Sequence, residues 1–381
     1  MTALEIVFWA SLGLIVWTHV GYPVALWLLS RLRRTAVEPG EGRLPSVSLI
    51  VAAHDEEAVI AERIGNAFAL DYPRELLQVI VASDGSADGT AEAATAAGAD
   101  LVLDLARAGK VPAQNAAAER ATGEVLAFSD ANALWRADAL RRLVAPFAGE
   151  TVGYVCGQVR FTRGPDGAAA AGSPNEEGLY WRYEMGMREL ESRLGGVTAG
   201  NGAIYAVRRQ AYLPLGPAGS HDLSFPFMLA KRGWRSVYAP DALAEEPMVA
   251  TIEGEFARKR RMMRGIWDEV VRDGMLSPRG YSPLYAFQVA SHRALRYLSP
   301  FLHLVALGAN VALLGEGTVY AITLAAQLAF GVAAALAGVL PLRPFRLARY
   351  YVAVTASIAA GLWDRIRLGI PGAWERTEGT R

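Results

Sequence analysis

Short apolar runs alternate with helical stretches through the first half of the chain, between about residues 43 and 161. The β-rich runs predict strands at residues 47–52, 79–82, 99–103 and 125–129. The stretches between and after them predict helices at residues 56–70, 89–97, 111–121 and 137–147. Strands that alternate with helices favour a mostly parallel sheet covered by helices, so the pattern predicts an α/β domain.

A long apolar segment precedes this domain. Residues 4–29 are almost wholly apolar and long enough to cross about 30 Å of hydrocarbon. No basic residue precedes them, whereas Arg31, Arg33 and Arg34 follow directly. These features predict a retained anchor at residues 1–34 with its amino terminus outside. The following domain, residues 43–275, is then expected in the cytosol.

Two further apolar segments, residues 298–314 and 318–340, predict a helical hairpin across the bilayer. Residues 280–297 predict an interfacial helix, with Arg293 and Arg296 at the level of the lipid headgroups. Residues 345–381 contain an apolar stretch of only about 14 residues, which favours a re-entrant or interfacial helix and a tail. The sequence therefore predicts a multi-pass protein of the inner or plasma membrane with three full spans.

Composition narrows the class of protein. The chain has 381 residues, too many for one ordinary domain, and its mean hydropathy is positive at +0.19. Its formal net charge is zero, which gives no indication of a nucleic-acid partner. The lone Cys156 excludes an intramolecular disulfide framework. Residues 164–174, rich in Gly, Pro and Ala, predict a surface loop before an amphipathic helix at 177–194.

The most informative side chains are Asp130 and Asn132, at the end of the fourth predicted strand. Open α/β sheets bind ligands at the carboxyl ends of their strands. In an extended segment, side chains two positions apart point the same way, so both oxygens can face one Mg²⁺ or Mn²⁺. A polar turn after a strand is the alternative interpretation of the same two residues.

Carboxylates also follow the first two predicted strands. Asp55 and Glu56 come after the first, and Asp84 opens the segment Asp-Gly-Ser-Ala-Asp-Gly-Thr after the second. The segment resembles the start of a calcium-binding EF-hand loop, but Thr95 stands where that loop requires Glu. Such carboxylates can hold a nucleobase and a ribose. A capped turn, with Asp88 as N-cap of the next helix, is the alternative.

Three further segments offer candidate chemistry. Lys110 begins the third predicted helix, a position that suits a phosphate, although no Walker motif is present and a solvated lysine is the alternative. The Gly200-Asn201-Gly202 segment, before a predicted strand at 203–207, is too short for a dinucleotide fingerprint, and crowding of the backbone also explains it. His221 and Asp222 precede a predicted helix at 223–232, for which Asp222 is a candidate N-cap.

A dense basic run follows in a helical pattern that ends near residue 272: Arg258, Lys259, Arg260, Arg261 and Arg264. Such a run can lie on anionic lipid headgroups. Alternatively, one arginine turns inward and pairs with a pyrophosphate, because its planar fork matches phosphate oxygens.

Taken in order, these segments resemble the family 2 glycosyltransferases with the GT-A fold. The resemblance covers about residues 47–267, and the flanking apolar segments are similar to those of polysaccharide synthases. It is carried by VSLIVAAHDEE, VIVASDGSADGT, AGKVPAQNAA, EVLAFSDAN, NGAIYAVRR, the His-Asp pair and RKRRMMRGIW. It implies an inverting membrane enzyme that transfers sugar from a UDP-sugar donor to a lipid-linked or growing polysaccharide acceptor, with Mg²⁺ or Mn²⁺ and membrane lipids as partners.

The resemblance also implies roles for the residues of the donor side. Ala53, Asp55, Glu56 and Asp84 match positions that bind the nucleobase and ribose, and Lys110 is expected beside them. Asp130 and Asn132 match the metal-binding DxD motif, in which Asp130 also faces the donor. Asn132 departs from the motif, because an amide replaces its second acid.

The remaining matches concern the acceptor and the base. Asp222 matches the catalytic base, and Arg261 matches the arginine of the QxxRW motif on the donor. His221 is expected beside the acceptor together with Gly200, Asn201 and Gly202. His221 replaces an acidic residue and is expected to titrate near neutral pH. Arg258 and Met262 depart from QxxRW, which weakens the inference of processive polymerisation.

Two alternatives remain open from sequence. One is a transferase that moves a single sugar to a polyprenyl phosphate. The other is a catalytically silent membrane protein that uses the fold to bind a nucleotide sugar. The enzymatic interpretations require that Asp130 and Asp222 share one cleft.

Overall fold

The chain begins with a long helix that contains a π-helical turn. In the computed structural model, which describes residues 1–32, 43–162, 174–217, 219–247, 252–340 and 342–369, helix α1 (Ala3–Val16) continues through the turn Trp17–Gly21 into α2 (Tyr22–Leu32). Together they span 30 residues and are long and apolar enough to cross a bilayer.

Four parallel strands form one half of the sheet that follows. They are β1 (Val47–Ala53), β2 (Leu77–Asp84), β3 (Leu101–Leu105) and β4 (Val125–Asp130), in the order β3-β2-β1-β4. Every residue of β1 is buried, as expected for a strand with helices on both faces of its sheet. The expected parallel core is confirmed, with strand ends shifted by one or two residues.

The other half of the sheet is mixed. It contains β5 (Leu134–Trp135), β6 (Val152–Thr162), β7 (Tyr205–Arg208) and β8 (Arg235–Pro247), and the order continues from β4 as β7-β6-β8-β5. Strand β7 runs antiparallel to both β4 and β6. Strand β6 runs parallel to β8, whereas β5 runs antiparallel to it.

Helices cover the sheet and frame one edge of it. Those of the first half are α3 (Glu57–Phe68), α4 (Thr90–Ala96), α5 (Lys110–Arg120) and α6 (Ala139–Val144). They are followed by α7 (Pro174–Leu194), α8 (His221–Ala230) and α9 (Ile252–Val271). Residues 163–173, which hold most of the expected loop, lie outside the described residues. Helix α8 has Ser220 at its N-cap, so Asp222 belongs to the first turn and is not the N-cap.

Alternate residues of the central strands enter cores on the two faces of the sheet. Leu49 of β1 packs in one cluster, whereas its neighbour Ile50 packs with Phe128 in another. The rings of Phe128 and Tyr205 stack with centroids 4.9 Å apart, a contact that contributes about 0.5–1.5 kcal/mol beyond the buried area. This second cluster reaches α8, and it therefore supports the candidate base from behind.

The carboxyl-terminal part is helical. Helix α10 (Pro283–Gln288) passes through a second π-helical turn, Val289–Ala294, into α11 (Leu295–Ala312), followed by α12 (Thr318–Leu336) and α13 (Arg343–Leu368). Among the described residues, only α12 joins the first long helix in meeting the length and hydropathy expected of a span. The sequence predicts three spans, and two helices of the described part of the chain are long and apolar enough to be spans.

Helix α13 and two arginines near α11 make contacts that the sequence did not predict. Helix α13 has 26 residues and packs along α9, where Arg260 binds Asp364 and Arg365 binds Asp268 through two hydrogen bonds each. The sequence predicts Arg293 and Arg296 at headgroup level, and the structure shows that both also bind other residues of the protein. Arg296 is only 13% exposed and pairs with Glu184 of α7, and Arg293 donates to Thr198 Oγ1 at 2.9 Å. Residues 370–381 lie outside the described residues.

Candidate active site

The carboxyl ends of three parallel strands meet at one edge of the sheet. The register places Ala52 of β1 beside Ala82 of β2 on one side and beside Asp130 of β4 on the other. Asp84 ends β2 and Asp130 ends β4, while Asp55 follows β1. Because parallel strands end at a common edge, carboxylates that are far apart in the sequence come together there.

Asp84 shapes the loop that leads to Lys110. Its side chain is 1% exposed and accepts hydrogen bonds from the backbone N–H groups of Ala108, at 2.7 Å, and Gly109, at 3.0 Å. Gly109 has a φ of 108°, a conformation that a side chain would strain. Asp84, expected to bind the sugar donor, therefore holds the backbone of the loop between β3 and α5 in place.

Asp55 links the loops after β1 and β2. Its backbone is in the left-handed region, with a φ of 50°. Its Oδ1 accepts from the N–H of Ala87 at 2.6 Å, and its own N–H donates to Ser86 Oγ at 3.0 Å. The N–H of Glu56 donates to Thr90 Oγ1 at 2.8 Å. These bonds form a rigid rim beside Ala53, at the place expected for a nucleoside.

Asp88 contributes to the same rim. Gly89 occupies the N-cap position of α4, so the expectation that Asp88 is the N-cap is wrong by one residue. The Asp88 carboxylate nevertheless accepts from the N–H of Thr90 at 3.2 Å and from the N–H of Glu57 at 3.3 Å.

Lys110 lies at the centre of the cleft. Its ammonium forms an ion pair with Asp130, and each of the two side chains is 24% exposed. Burial alone would lower the pKa of the Lys110 ammonium. Three carboxylates outweigh burial and raise that pKa above its ordinary value; they belong to Asp130, Asp222 and Glu246. The charges of the candidate metal ligand and of the candidate base therefore both act on this one ammonium group.

The loop 195–202 connects the two carboxylates. The N–H of Gly200 donates to the backbone oxygen of Asp222 at 2.6 Å. Gly202 lies beside the ion pair, because a Cβ added there would be 3.4 Å from Lys110 Nζ and 4.0 Å from Asp130 Oδ2. Gly200 has no room for a side chain, because a Cβ would meet the hydroxyl of Tyr154. Close approach therefore requires glycine at position 200, whereas a Cβ at position 202 would make only ordinary van der Waals contacts.

Asn201, expected to contact the acceptor, has a side chain directed at the backbone. Its Nδ2 donates to the oxygen of Gly157 at 2.6 Å, and its Oδ1 accepts from the N–H of Ile204 at 2.9 Å. Asn201 is 8% exposed. These contacts fix the shape of the loop between its two glycines.

His221 does not titrate near neutral pH, so that expectation is wrong. Its ring is 4% exposed and is surrounded by four aromatic rings, those of Phe128, Tyr205, Tyr212 and Phe225. Nδ1 lies 2.7 Å from the hydroxyl of Tyr205. Burial and the charge of Lys110 lower the pKa of His221 to about 3. The imidazole is therefore neutral and holds the start of α8 in place.

Two acidic residues of the site were missed from sequence. Glu246 is the penultimate residue of β8, next to Glu245, and burial together with the charge of Asp130 raises its pKa to about 7. The available signal was the one used for Asp130, since both acids follow an apolar run, here residues 242–244. Glu269 is 1% exposed behind Asp222 and accepts from Ser220 Oγ at 2.7 Å and Ser224 Oγ at 2.6 Å. No local pattern indicates Glu269.

The basic run contributes through the beginning of α9. Arg258 binds Glu255 through two hydrogen bonds, of 2.8 and 2.9 Å, and its charge lowers the pKa of Glu246. Arg261 lies partly buried on the same helix, about one turn further on. The charge of Arg258 therefore reaches Glu246 from the first turns of α9.

The donor set of the cleft fits an oxygen-liganded divalent cation. Burial and, after it, the charge of Asp130 raise the pKa of Glu246, and a cation bound beside the two carboxylates would relieve their repulsion. Asn132 lies partly buried in the turn after β4 and offers a neutral oxygen. Among the described residues there is no group of three or more His, Cys, Asp or Glu that could hold a metal ion. A bound Mg²⁺ or Mn²⁺ therefore requires further oxygens, such as those of a diphosphate.

Comparisons with known proteins agree with this geometry. A family model described as "Glycosyltransferase like family 2" matches residues 45–265. The beta-monoglucosyldiacylglycerol synthase of Trichormus variabilis is 29% identical over 292 residues, which cover 72% of this chain and 61% of the synthase. The chain thus spans about three fifths of that relative's length. Glycosyltransferase AglE of Haloferax volcanii is 27% identical over 231 residues, which cover 57% of this chain and 71% of AglE.

One solved structure is similar over almost the whole chain. The mannosyltransferase PcManGT from Pyrobaculum calidifontis, solved with GDP-Man and Mn²⁺, is 25% identical and superposes with a TM-score of 0.70. The alignment covers 95% of this chain and 99% of that one. The α/β domain therefore has the GT-A fold, and the match of the family model over more than half of the chain shows that the protein belongs to glycosyltransferase family 2.

Proposed function

We propose that this protein is an inverting membrane glycosyltransferase that moves a sugar from a nucleoside-diphosphate sugar to a hydroxyl group of a lipid acceptor. The observation that carries the proposal is the position of Lys110, whose ammonium group pairs with Asp130 and is also affected by the charges of Asp222 and Glu246. A cation and three carboxylates at the carboxyl edge of the sheet form a site that can hold a diphosphate, a divalent metal ion and an acceptor hydroxyl together.

The donor lies along the ends of β1, β2 and β4. The rim formed by Ala53, Asp55, Glu56 and Asp84 receives the nucleoside, and Lys110 turns from Asp130 to the diphosphate. Asp130, Asn132 and Glu246 would hold the metal ion, which when bound would supply Lewis acidity to the departing diphosphate. Arg258 and Arg261 lie on the helix that faces this side of the cleft, where a guanidinium group can bind phosphate oxygens.

Asp222 is the general base of the proposed reaction. It accepts the proton of the acceptor hydroxyl as the hydroxyl oxygen attacks the anomeric carbon, while the bond from that carbon to the diphosphate breaks on the opposite face. The anomeric configuration is thereby inverted. A positioned base of this kind contributes about 10²- to 10⁴-fold in rate. The loop 195–202 holds the backbone of Asp222 through Gly200, and Gly202, which has no side chain, leaves space beside Lys110 and Asp130 for an acceptor.

The proposed acceptor is a membrane lipid with a free hydroxyl group. Two helices are long and apolar enough to cross a bilayer, and the relative from Trichormus variabilis is named for a glucosyldiacylglycerol product. We therefore favour transfer of a single sugar to a lipid over polymerisation. The UDP-sugar expected from sequence stays the first donor to test, with GDP-mannose second because the similar mannosyltransferase was solved with it.

The experiment is a donor and metal screen with purified protein in lipid nanodiscs that contain diacylglycerol or polyprenyl phosphate. UDP-glucose, UDP-galactose and GDP-mannose are each offered with Mg²⁺, Mn²⁺ or EDTA, and lipid products are identified by mass spectrometry. We expect one monoglycosylated lipid, formed only with metal. The Asp222→Asn variant should bind the donor normally and lose at least about 100-fold in transfer.

Three results would reject the proposal or part of it. A polymer product would exclude single transfer. Absence of nucleotide release with every donor would favour the catalytically silent alternative. Full activity of the Asp222→Asn variant would remove Asp222 as the base.

A further inference from the structure

A buried carboxylate joins the amino-terminal helix to the loop that shapes the acceptor side of the cleft. Glu191, on α7, is completely buried. Its Oε1 accepts from the hydroxyl of Tyr22 at 2.7 Å and lies 2.7 Å from Nδ1 of His292. Its Oε2 accepts from the N–H of Thr198 at 3.0 Å and from the Thr198 hydroxyl at 2.9 Å. We call these four residues the Glu191 cluster.

The cluster is held by charge as well as by hydrogen bonds. Burial alone would raise the pKa of Glu191, but the charges of His292 and Arg293 and the hydrogen bonds it accepts outweigh burial and lower that pKa. An ionised carboxylate can only accept, so His292 donates from Nδ1. Hydrogen bonds to a buried charge are stronger than neutral ones, and loss of one donor leaves the charge undersatisfied.

Tyr22 and His292, which both donate to Oε1 of Glu191, lie at π-helical turns. Tyr22 follows the turn Trp17–Gly21 directly, and His292 lies inside the turn Val289–Ala294. The two turns contact each other, because Trp17 Nε1 donates to Ser291 Oγ at 3.2 Å. A π-helical turn changes the direction of the side chains beyond it and is frequent at functional sites. Here the two turns direct Tyr22 and His292 towards the same carboxylate.

From Thr198 the contacts lead directly to the reacting groups. Two residues further on, Gly200 accepts from Arg188 Nη2 at 2.7 Å and donates to the backbone oxygen of Asp222 at 2.6 Å. Gly202 then lies beside the pair formed by Lys110 and Asp130. A shift of Thr198 therefore displaces the loop 195–202 relative to the base on one side and the donor cleft on the other.

We propose that Tyr22, through Glu191 and Thr198, is a positioning residue for sugar transfer, so that the amino-terminal helix forms part of the acceptor site in addition to any role as an anchor. The inference rests on the function proposed for the cleft. The donor side is built by the ends of β1, β2 and β4 and has no contact with Tyr22 among the described residues. Transfer to the acceptor should therefore depend on Tyr22, and binding of the donor should not.

The test compares two tyrosine variants in nanodiscs. Tyr22→Phe removes one hydroxyl and keeps the ring. We expect kcat for transfer to fall about tenfold, the donor KM to stay within about twofold, and hydrolysis of the donor to rise relative to transfer. Tyr183→Phe is the matched control, because the Tyr183 hydroxyl donates to the oxygen of His19 at 3.2 Å and so joins α7 to the same helix away from Glu191. It should leave kcat unchanged.

The Thr198 side chain gives a second pair of variants. Thr198→Ser keeps the hydroxyl that bonds Glu191 and should retain most of the rate. Thr198→Val has nearly the same shape without the hydroxyl and should reproduce the loss in Tyr22→Phe. Equal losses in the Ser and Val variants would contradict the role of the hydroxyl.

Hydrogen exchange of the loop 195–202 gives a readout that does not require activity. We expect faster exchange there in Tyr22→Phe and not in Tyr183→Phe. If the wild-type protein transfers no sugar but shows this exchange pattern, the proposed function fails and the coupling stands. If the wild-type protein is active and Tyr22→Phe matches it in kcat and exchange, the inference is overturned. Equal effects of the two tyrosine variants would also overturn it.

Discussion

The ammonium group of Lys110 is the counter-charge of a cleft that gathers acids from distant segments of the chain. Asp130 ends β4, Asp222 lies in the first turn of α8, and Glu246 is the penultimate residue of β8. Without Lys110, these carboxylates would repel one another at close range. The ion pair with Asp130 must also open before that carboxylate can bind a metal ion.

Replacement of Lys110 should therefore change metal affinity in the absence of nucleotide. We expect Lys110→Met to bind Mn²⁺ roughly three- to tenfold more tightly than the wild type, because a positive charge next to Asp130 is removed. Lys110→Arg keeps the charge and should bind as the wild type does. Electron paramagnetic resonance of free Mn²⁺ measures both affinities. Weaker binding in the Met variant would show that Lys110 does not compete with the metal.

Glu269 should make stability depend on pH. Burial, followed by the charges of Asp222 and Asp273, raises its pKa from 4.5 to about 8, and Tyr297 is the other titratable group that interacts with it. Between these two values the folded protein holds a proton that the unfolded chain releases. The free energy of unfolding therefore falls as pH rises through this window, by on the order of a few kcal/mol.

The measurement is the thermal midpoint in detergent from pH 5 to pH 8.5, for the wild type and Glu269→Gln. Glutamine keeps the hydrogen bonds to Ser220 and Ser224 without a titrating group, so its midpoint should change less with pH. A wild-type midpoint that rises over this range, with no difference in the variant, would contradict the assignment of Glu269 as a neutral acid.

At the level of single residues, the sequence allowed prediction of the acidic residues that lie at the ends of strands. Asp84 and Asp130 follow apolar runs, and the end of a strand is a local feature. The properties of His221, Glu246 and Glu269 depend on what packs around them. The aromatic rings around His221 come from Phe128, Tyr205, Tyr212 and Phe225, and no periodicity reveals that they enclose an imidazole.

At the level of elements, the turn between β4 and β5 is held from behind by α3. Arg63 is completely buried and donates from Nε to Ser129 Oγ at 3.0 Å and from Nη1 to Asn66 Oδ1 at 2.9 Å. Asn66 also brackets Trp135, accepting from its N–H at 2.9 Å and donating to its oxygen at 2.8 Å. These contacts fix both ends of the turn that carries Asp130 and Asn132.

Loss of the Asn66 amide should destabilise this arrangement. Asn66→Ala leaves the backbone groups of Trp135 and one nitrogen of Arg63 without partners, at a cost of about 2–4 kcal/mol. For a chain of this size we expect the thermal midpoint to fall by roughly 2–5 °C. A midpoint within about 1 °C of the wild type would show that water replaces the amide without cost.

The helices and strands differ in how far the sequence determines them. The parallel strands and their helices follow one another along the chain, so local patterns were sufficient to predict them. Strand β6 pairs with β7 and β8, which lie far away in sequence, and β5 has only two residues. The existence of β5 and β6 depends on pairing with strands distant in sequence, and no turn signal in the sequence indicates that pairing. Helix α13 likewise extends beyond its apolar stretch because its polar residues bind α9.

At the scale of the whole molecule, the amino-terminal helix and the carboxyl-terminal hairpin form one bundle. The ring of Phe8 packs against Tyr320 with centroids 5.4 Å apart, and the Tyr320 hydroxyl donates to Glu5 Oε1 at 3.2 Å. The start of α1 therefore lies at the same end of the bundle as the connection between α11 and α12. This arrangement agrees with the topology expected from the basic residues, in which both lie outside.

Cysteine labelling can test this topology, because the natural Cys156 is buried. Glu316 is exposed in the connection between α11 and α12, and Glu75 is exposed on the catalytic domain. In sealed cells, an impermeant maleimide should label Glu316→Cys, and it should label Glu75→Cys only after lysis. The reverse pattern would place the catalytic domain outside and reject the proposed orientation.

The pairing of Lys110 with Asp130 also has a consequence for the order in which ligands arrive. While Lys110 is paired with Asp130, that carboxylate is less available to a free divalent ion. When the metal ion arrives already bound to a sugar nucleotide, the diphosphate can pair with Lys110 as Asp130 binds the metal ion. We therefore expect the two ligands to enter together as one complex, so that the resting enzyme is insensitive to fluctuations in free magnesium.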